Sequence, residues 1–409
     1  MKQELLDRLR KNNKPVIIGG AGIVGGAVFE LCRNLGIRVE GFCDGSIKLT
    51  GTEFHSFRVI HTSRLKEVFP EVLVLITAAA IKDVVDSLRE QGIIDWIAAG
   101  PLLEDHDINQ QDFELDDRKF AIETCIICHA GYLLPDRAFL RSIDLIITER
   151  CSLKCKDCAN LMQYYERPRN VDFGLLMHSI DVLCDTLDEI MEMRIIGGDA
   201  LMNKQWPDIV ARTLTEPKIK RVVIYTNGSI LPTAEQAQVL RHPKVLMVIT
   251  DYGVLSRNLD GLKAYLADHG IAHRILQIDS WLDCASLEKH NRSTQENVQI
   301  YKECCAKNML SFSDGKLFRC PFAANADRLD AVPGNATDYV DVLGNTSAGI
   351  NVATVRNQIM NYVLHKGTLE TCDYCNGRPL SGCEVPPAIQ TVAPLPYKKH
   401  SSESPPASI

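Results

Sequence analysis

The chain has no long apolar run. Its longest, such as Val72 to Ala80 and Val245 to Thr250, fall far short of the ~20 residues that a membrane-spanning helix needs, so no span is expected. No export signal is expected either: Met1 to Lys14 is amphipathic and charge-mixed, without a basic start, an apolar stretch and a small-residue cleavage site. A cytoplasmic location is therefore expected. Nor is there an excess of basic charge. The formal net charge is -7, and with no broad positive surface to meet a phosphate backbone, no nucleic-acid partner is expected.

What the chain does have is cysteine, 15 residues in 409. Without an export signal a disulfide framework is not expected, and metal ligation becomes the default explanation. Cys32, Cys43 and Cys184 are set apart, because in their apolar, helix-like or strand-like surroundings a thiol behaves as a small core residue.

The length suggests two or three domains, and the fold class predicted is α/β. Residues 1–118 alternate apolar runs (Val16 to Ile18, Val39 to Phe42, Val72 to Thr77) with helical patterns, the mark of an open, mostly parallel sheet wrapped by helices. A polar, acidic stretch from Glu104 to Lys119 breaks the pattern, and 119–139 is read as a linker. Strand-helix repeats resume over 140–300, with strands predicted at Ile143 to Thr148, Met193 to Ile196, Val222 to Thr226, Val245 to Thr250 and Arg274 to Ile278. Parallel pairing with right-handed crossovers would curl them into a partial or full barrel. Cysteines and turn residues dominate 301–385, and the Pro/Ser-rich 386–409 is expected to be a disordered tail.

Cys151, Cys155 and Cys158 follow directly on the strand at Ile143 to Thr148, where the loops of parallel barrels carry ligands. Three closely spaced thiolates can hold three irons of a [4Fe-4S] cube and leave the fourth iron open. A zinc knuckle or reduced structural thiols are the alternatives, but a structural zinc takes four protein ligands. The C-x3-C-x2-C spacing resembles that of the radical S-adenosylmethionine (SAM) superfamily. The resemblance implies SAM held by its amino and carboxylate groups on the open iron, and reductive cleavage to a 5'-deoxyadenosyl radical that takes hydrogen from a substrate. The family usually has an aromatic residue just before the third cysteine. This chain has Asp157, so the adenine must be packed from elsewhere.

Gly197-Gly198-Asp199-Ala200, after the next strand, resembles the family's Gly-Gly-Glu-Pro stretch, which holds the SAM amino group; Asn227, in Thr226-Asn227-Gly228, resembles a position that contacts the ribose or carboxylate. An ordinary turn is the alternative at both. Asp251 and Tyr252 are candidates for the same cavity, and Cys305, Cys320, Cys372 and Cys375, with Gly315 between the first two, resemble the half-size auxiliary-cluster extension called twitch. That implies a second [4Fe-4S] cluster, against a structural zinc ribbon. Cys125, Cys128, Cys284, Cys304 and Cys383 are left unassigned.

In the N-terminal region Gly20, Gly22 and Gly25 follow a strand and open a helix, with Asp44 ending the next strand, a context for binding a nucleotide. This region resembles the Rossmann-like modules of polysaccharide-tailoring enzymes. The whole chain is similar to radical SAM proteins found with glycan biosynthesis, which implies a small-molecule substrate such as a sugar or nucleotide-linked sugar, and a reductant such as flavodoxin or ferredoxin. A peptide-modifying enzyme and a non-enzymatic iron-sulfur or zinc scaffold are the rival readings.

Overall fold

A computed structural model of the protein describes residues 2–104, 117–134, 136–344, 351–365, 367–379 and 382–400. The chain divides into two compact units, Met1–Arg141 and Ser142–Ile409. In the first, five strands form a sheet in the order Ile60–His61, Gly41–Asp44, Val16–Gly19, Leu73–Ile76, Trp96–Ala98, and every pair is parallel. Successive residues point to opposite faces. Ile18, Phe42 and Leu75 enter one core, while Ile17, Cys43 and Ile76 enter the other. Both faces are covered, as the near-continuous apolar runs require. Cys32 and Cys43 are core thiols here, and Cys184 is buried in the second unit.

Residues 119–139 do not form the expected linker. A helix spans Asp117–Leu133, and its Ile122 joins the same core as Ile18 and Leu75. Cys125 and Cys128 on this helix are also buried. The polar stretch read as a break falls mostly at 105–116, outside the described residues.

His129 fastens this helix to the ends of the strands. Its Nδ1 accepts from the Gly100 amide at 2.9 Å, which places the proton on Nε2, and Nε2 donates to the Ala78 carbonyl at 3.0 Å. Burial holds the imidazole neutral and pushes its pKa down to about 4. Because the folded value lies below the ordinary 6.5, the unfolded chain takes up the proton first as pH falls. The contribution is thus complete above pH 6.5 and is lost between there and about pH 4, on the order of 3 kcal/mol. His129→Leu should lower the stability of the first unit at pH 7.5 and flatten its acid dependence across this window. Urea melts of wild type and variant at a series of pH values check this, and parallel curves would refute it.

The second unit is built on eight strands, in the order His273–Gln277, Val245–Asp251, Ile219–Thr226, Glu189–Ile196, Phe139–Ile146, Ser311–Ser313, Lys316–Phe318, Tyr339–Asp341. The first four pair in parallel, and all five strands expected of the barrel region are present. The cysteine-rich segment is continuous with this sheet. Its first strand runs parallel to Phe139–Ile146, and the hairpin that follows turns at Asp314 (φ 49°) and Gly315 (φ 79°), the two positive values of a tight hairpin turn. A buried ion pair reinforces the junction: Arg328 donates to Glu149 at 2.6 Å, with both side chains under 5% exposed.

The tail departs most from expectation. Residues 386–400 are ordered against the unit: the Leu395 amide donates to the Gln163 carbonyl, the Tyr397 hydroxyl to that of Leu329, and the His400 amide to that of Asp330. Pro and Ser content describes a chain with little helix or sheet, but backbone donors can be satisfied by loops on another segment. The remainder, 401–409, lies outside the described residues.

Candidate active site

Cys151, Cys155 and Cys158 line a cavity of about 520 Å³ at the carboxyl ends of the parallel strands, together with Gly197, Gly198 and Asn227. The two glycines have a packing reason. A Cβ on Gly197 would sit 2.2 Å from the Thr148 carbonyl oxygen, and one on Gly198 would sit 2.4 Å from that of Arg150. Only bare backbone approaches so closely, and there the Gly198 amide donates to Thr148 O and the Asp199 amide to Arg150 O. The glycine stretch thereby holds the root of the thiol loop.

Asp199 is not among the residues that line the cavity. Its carboxylate is buried away from the cavity lining, where it accepts from the backbone of Leu201 and Asn227 and from the Thr226 hydroxyl. Burial raises its pKa against these three donors. The shorter Asp side chain stays within the turn, where it holds the Asn227 backbone. Asn227 does face the cavity, donating to Ser152 Oγ at 3.0 Å and to Cys151 Sγ at 3.5 Å.

Of the pair Asp251 and Tyr252, the structure brings only Tyr252 to the cavity, while Asp251 caps the next turn by accepting from the Gly253 amide. Burial, then the nearby thiols of Cys158, Cys155 and Cys151, pushes the Tyr252 hydroxyl well above its usual range. Trp281 packs edge-on against this ring, with centroids 5.7 Å apart, and also lines the cavity. Sequence reasoning missed Trp281. It is placed by pairing with Val385, over 100 positions away, and nothing local reports that. Asp144, Arg194 and Tyr225 also line the cavity. Arg194 donates twice to Glu192, at 2.9 and 2.6 Å, and stands 3.7 Å from Asp144. Burial pushes the Asp144 carboxyl up to about 7 despite Arg194. Inward-facing charges on adjacent strands are also a signal that sequence reading passed over.

The second thiol group gathers with one substitution. Burial first, then Cys372, Cys375 and Cys304, raises the Cys320 thiol; Cys304 is likewise among the neighbours of Cys372 and Cys375. Cys305, the residue chosen from spacing, is exposed, and its amide is bonded to the Arg378 carbonyl. One position decides which thiol turns inward at the end of the helix Thr294–Glu303. Cys284 lines the first cavity, beside Arg378.

The donor chemistry of both groups suits a metal centre. Burial raises these thiols, Cys155 to about 11 and Cys375 to about 12, and a buried thiol kept protonated is a poor nucleophile, whereas a bound cation makes it a thiolate. Among the described residues no three His, Cys, Asp or Glu side chains are gathered tightly enough to hold a single metal ion. A cube of irons spreads its thiolates over separate atoms, so its ligands stand farther apart than those around one ion.

In the first unit Gly20 and Gly25 are required by packing: a Cβ on Gly25 would meet Gly20 O at 2.0 Å, and one on Gly20 would meet Thr77 Oγ1 at 2.4 Å. Gly22 has nothing within 4 Å. Asp44 braces the turn, accepting from the amides of Ala21 (2.9 Å) and Ser46 (2.8 Å).

Part of the chain is similar to GTP 3',8-cyclases. It is 32% identical over 100 residues to that of Clostridium acetobutylicum, covering 22% of this chain and 30% of the relative. The enzymes of Psychromonas ingrahamii (34% over 104 residues; 25% and 30%) and Shewanella denitrificans (33% over 95 residues; 23% and 27%) are comparable. The chain thus spans under a third of the length of these curated relatives. No family model matches it. Solved structures similar to it include BtrN in complex with AdoMet and 2-DOIA (18% identity, 58% of this chain and 93% of that one, TM-score 0.36). Another is SuiB of Streptococcus suis bound to S-adenosylmethionine (14%, 48% and 45%, 0.30), and a third is anSMEcpe with bound AdoMet (8%, 54% and 96%, 0.35).

The exchange of Cys305 for Cys304 is directly testable. If Cys320, Cys372 and Cys375 hold a [4Fe-4S] cluster together with Cys304, Cys304→Ala should lose about four irons per chain, whereas Cys305→Ala should retain them. Elemental analysis of the anaerobically purified proteins decides, and the opposite pattern would restore Cys305.

Proposed function

We propose that the chain is a radical SAM enzyme whose second unit holds a [4Fe-4S] cluster on Cys151, Cys155 and Cys158. The observation that carries this reading is the meeting, in one cavity, of those thiols with Asn227 and the glycine turn at 197–198. When bound, the cluster and SAM supply a 5'-deoxyadenosyl radical able to abstract hydrogen from a substrate. The protein's residues do the rest. The Asn227 amide, oriented from behind by Asp199 and by the Ser256 hydroxyl on its carbonyl at 2.7 Å, is the polar group that fixes SAM beside the thiol loop. Tyr252 and Trp281 offer the aromatic surface that Asp157 does not, a place for adenine to stack.

Asp144, Arg194 and Arg378 also line this cavity, in the space left for the substrate. The polar and charged groups of this lining, with the Arg378 guanidinium among them, favour a hydroxyl-rich small molecule, and so a sugar or nucleotide-linked sugar over an apolar ligand. A peptide substrate is the second reading, and the same charges would then meet its backbone. Cys304, Cys320, Cys372 and Cys375 would hold an auxiliary cluster, with zinc as the alternative ion. The open space at Gly22 supports a nucleotide in the first unit. Among the described residues no helix is long and apolar enough to cross a membrane.

Anaerobic incubation with SAM, dithionite and a panel of nucleotide sugars, following 5'-deoxyadenosine and substrate mass, tests the reaction. Replacing Cys151, Cys155 and Cys158 together by Ala should remove about four irons per chain and abolish 5'-deoxyadenosine formation; unchanged cleavage would sink the proposal. In the first unit, Gly22→Val adds a side chain to open space without internal clash. It should weaken nucleotide binding at least tenfold by calorimetry while leaving SAM cleavage intact. If the wild type binds no nucleotide at millimolar concentration, this unit is only a packing module.

A further inference from the structure

The segment 386–400 does more than cover the second unit. It runs against the thiol loop as a short antiparallel strap: Lys156 N donates to Ile389 O at 2.7 Å, Thr391 N donates to Lys154 O at 2.8 Å, and Cys155 and Gln390 form an isolated bridge. At the centre of the strap the Gln390 side chain reaches back to the loop. Its Oε1 accepts from the Lys154 amide at 2.8 Å. That bond settles which end of the amide is oxygen, since a backbone N–H needs an acceptor. The two hydrogens on Nε2 then go to Ala388 O at 2.8 Å and to Cys155 Sγ at 3.1 Å. Every polar atom of the amide is used, and one bond ends on a thiol.

The turn before it is shaped to deliver this side chain. Ala388 has φ 58° and is buried. A non-glycine residue in the left-handed region is strained and persists where its surroundings hold it there. Here the carbonyl of that residue is one of the two acceptors for Gln390 Nε2.

Resting on the cluster reading above, we propose that Gln390 is a positioning residue that sets the reduction potential of the cluster bound at Cys155. A hydrogen bond donated to a cluster thiolate withdraws charge from sulfur and favours the more negative, reduced form, so the potential rises. The strap also keeps water off Cys155, which is 7% exposed. It makes the carboxyl-terminal segment part of the redox centre's surroundings.

Gln390→Glu and Gln390→Met divide the roles. Glu can still accept from the Lys154 amide but donates nothing and brings negative charge toward the sulfur; Met keeps the bulk and has neither function. Gln390 is largely exposed, so neither change burdens the core. Redox titration of the anaerobic protein, followed by the electron paramagnetic resonance signal that SAM perturbs, should give potentials falling in the order wild type, Met, Glu, with iron per chain unchanged. Potentials equal to wild type in both variants would overturn the proposal. So would a loss of iron with the remaining signal at the wild-type potential, since the residue would then be a clamp and no more. If the wild type shows no signal that SAM perturbs, the cluster reading itself fails, and this proposal with it.

Discussion

The second unit depends on one close approach, that of the backbone at Gly197 and Gly198 to the backbone at Thr148 and Arg150. Side chains at either glycine would collide with carbonyl oxygens, so the two loops can be joined by direct amide-to-carbonyl bonds only because both residues lack a Cβ. That contact roots the thiol loop on the next strand's turn. The turn then hands on its order: Asp199 accepts from Asn227, and Asn227 reaches Ser152 and Cys151. The buried Asp199 carboxylate thus ties its own turn to the loop at Thr226 and Asn227, and Asn227 carries the tie on to the thiol loop. Three donors offset part of its cost of burial.

A second set of ties binds the loop from the cysteine-rich side. Arg328 and Glu149 pair where both are nearly inaccessible. Breaking such a pair by removing one partner strands the other charge, which is more costly than the pair is stabilising. Tyr165 donates to Asn325, and Cys158, Cys320 and Cys375 pack into one apolar cluster with Phe322 and Tyr374. The two thiol groups therefore share walls, and the segment bearing the second is structural support for the first.

Much of this was legible from sequence because it is local. The spacing of Cys151, Cys155 and Cys158, the glycines at 197 and 198, three strands of the first sheet and five of the second each depend on neighbours in the chain, where steric and period rules apply directly. Other features turn on a single residue or a single methylene. Spacing counts positions and not the direction in which a helix end points a side chain, so it selects Cys305 where Cys304 is the neighbour of Cys320, Cys372 and Cys375. The motif at Asp199 names a carboxylate, but whether that carboxylate reaches the cavity depends on one methylene.

By itself the sequence determined that the chain is α/β, that its thiols fall into two groups, and that one group follows a parallel strand; periodicity and spacing are properties of the chain, whatever it later touches. Only the tertiary structure decided which residues share the cavity. Trp281 is there because Val385 pairs with it and Arg378 because its loop returns beside Cys284, while Gln390 reaches the thiol loop because a segment poor in regular structure satisfies its amides there. Contacts between residues a hundred or more positions apart are set by the balance of packing and chain entropy over the whole unit, and no local pattern encodes them.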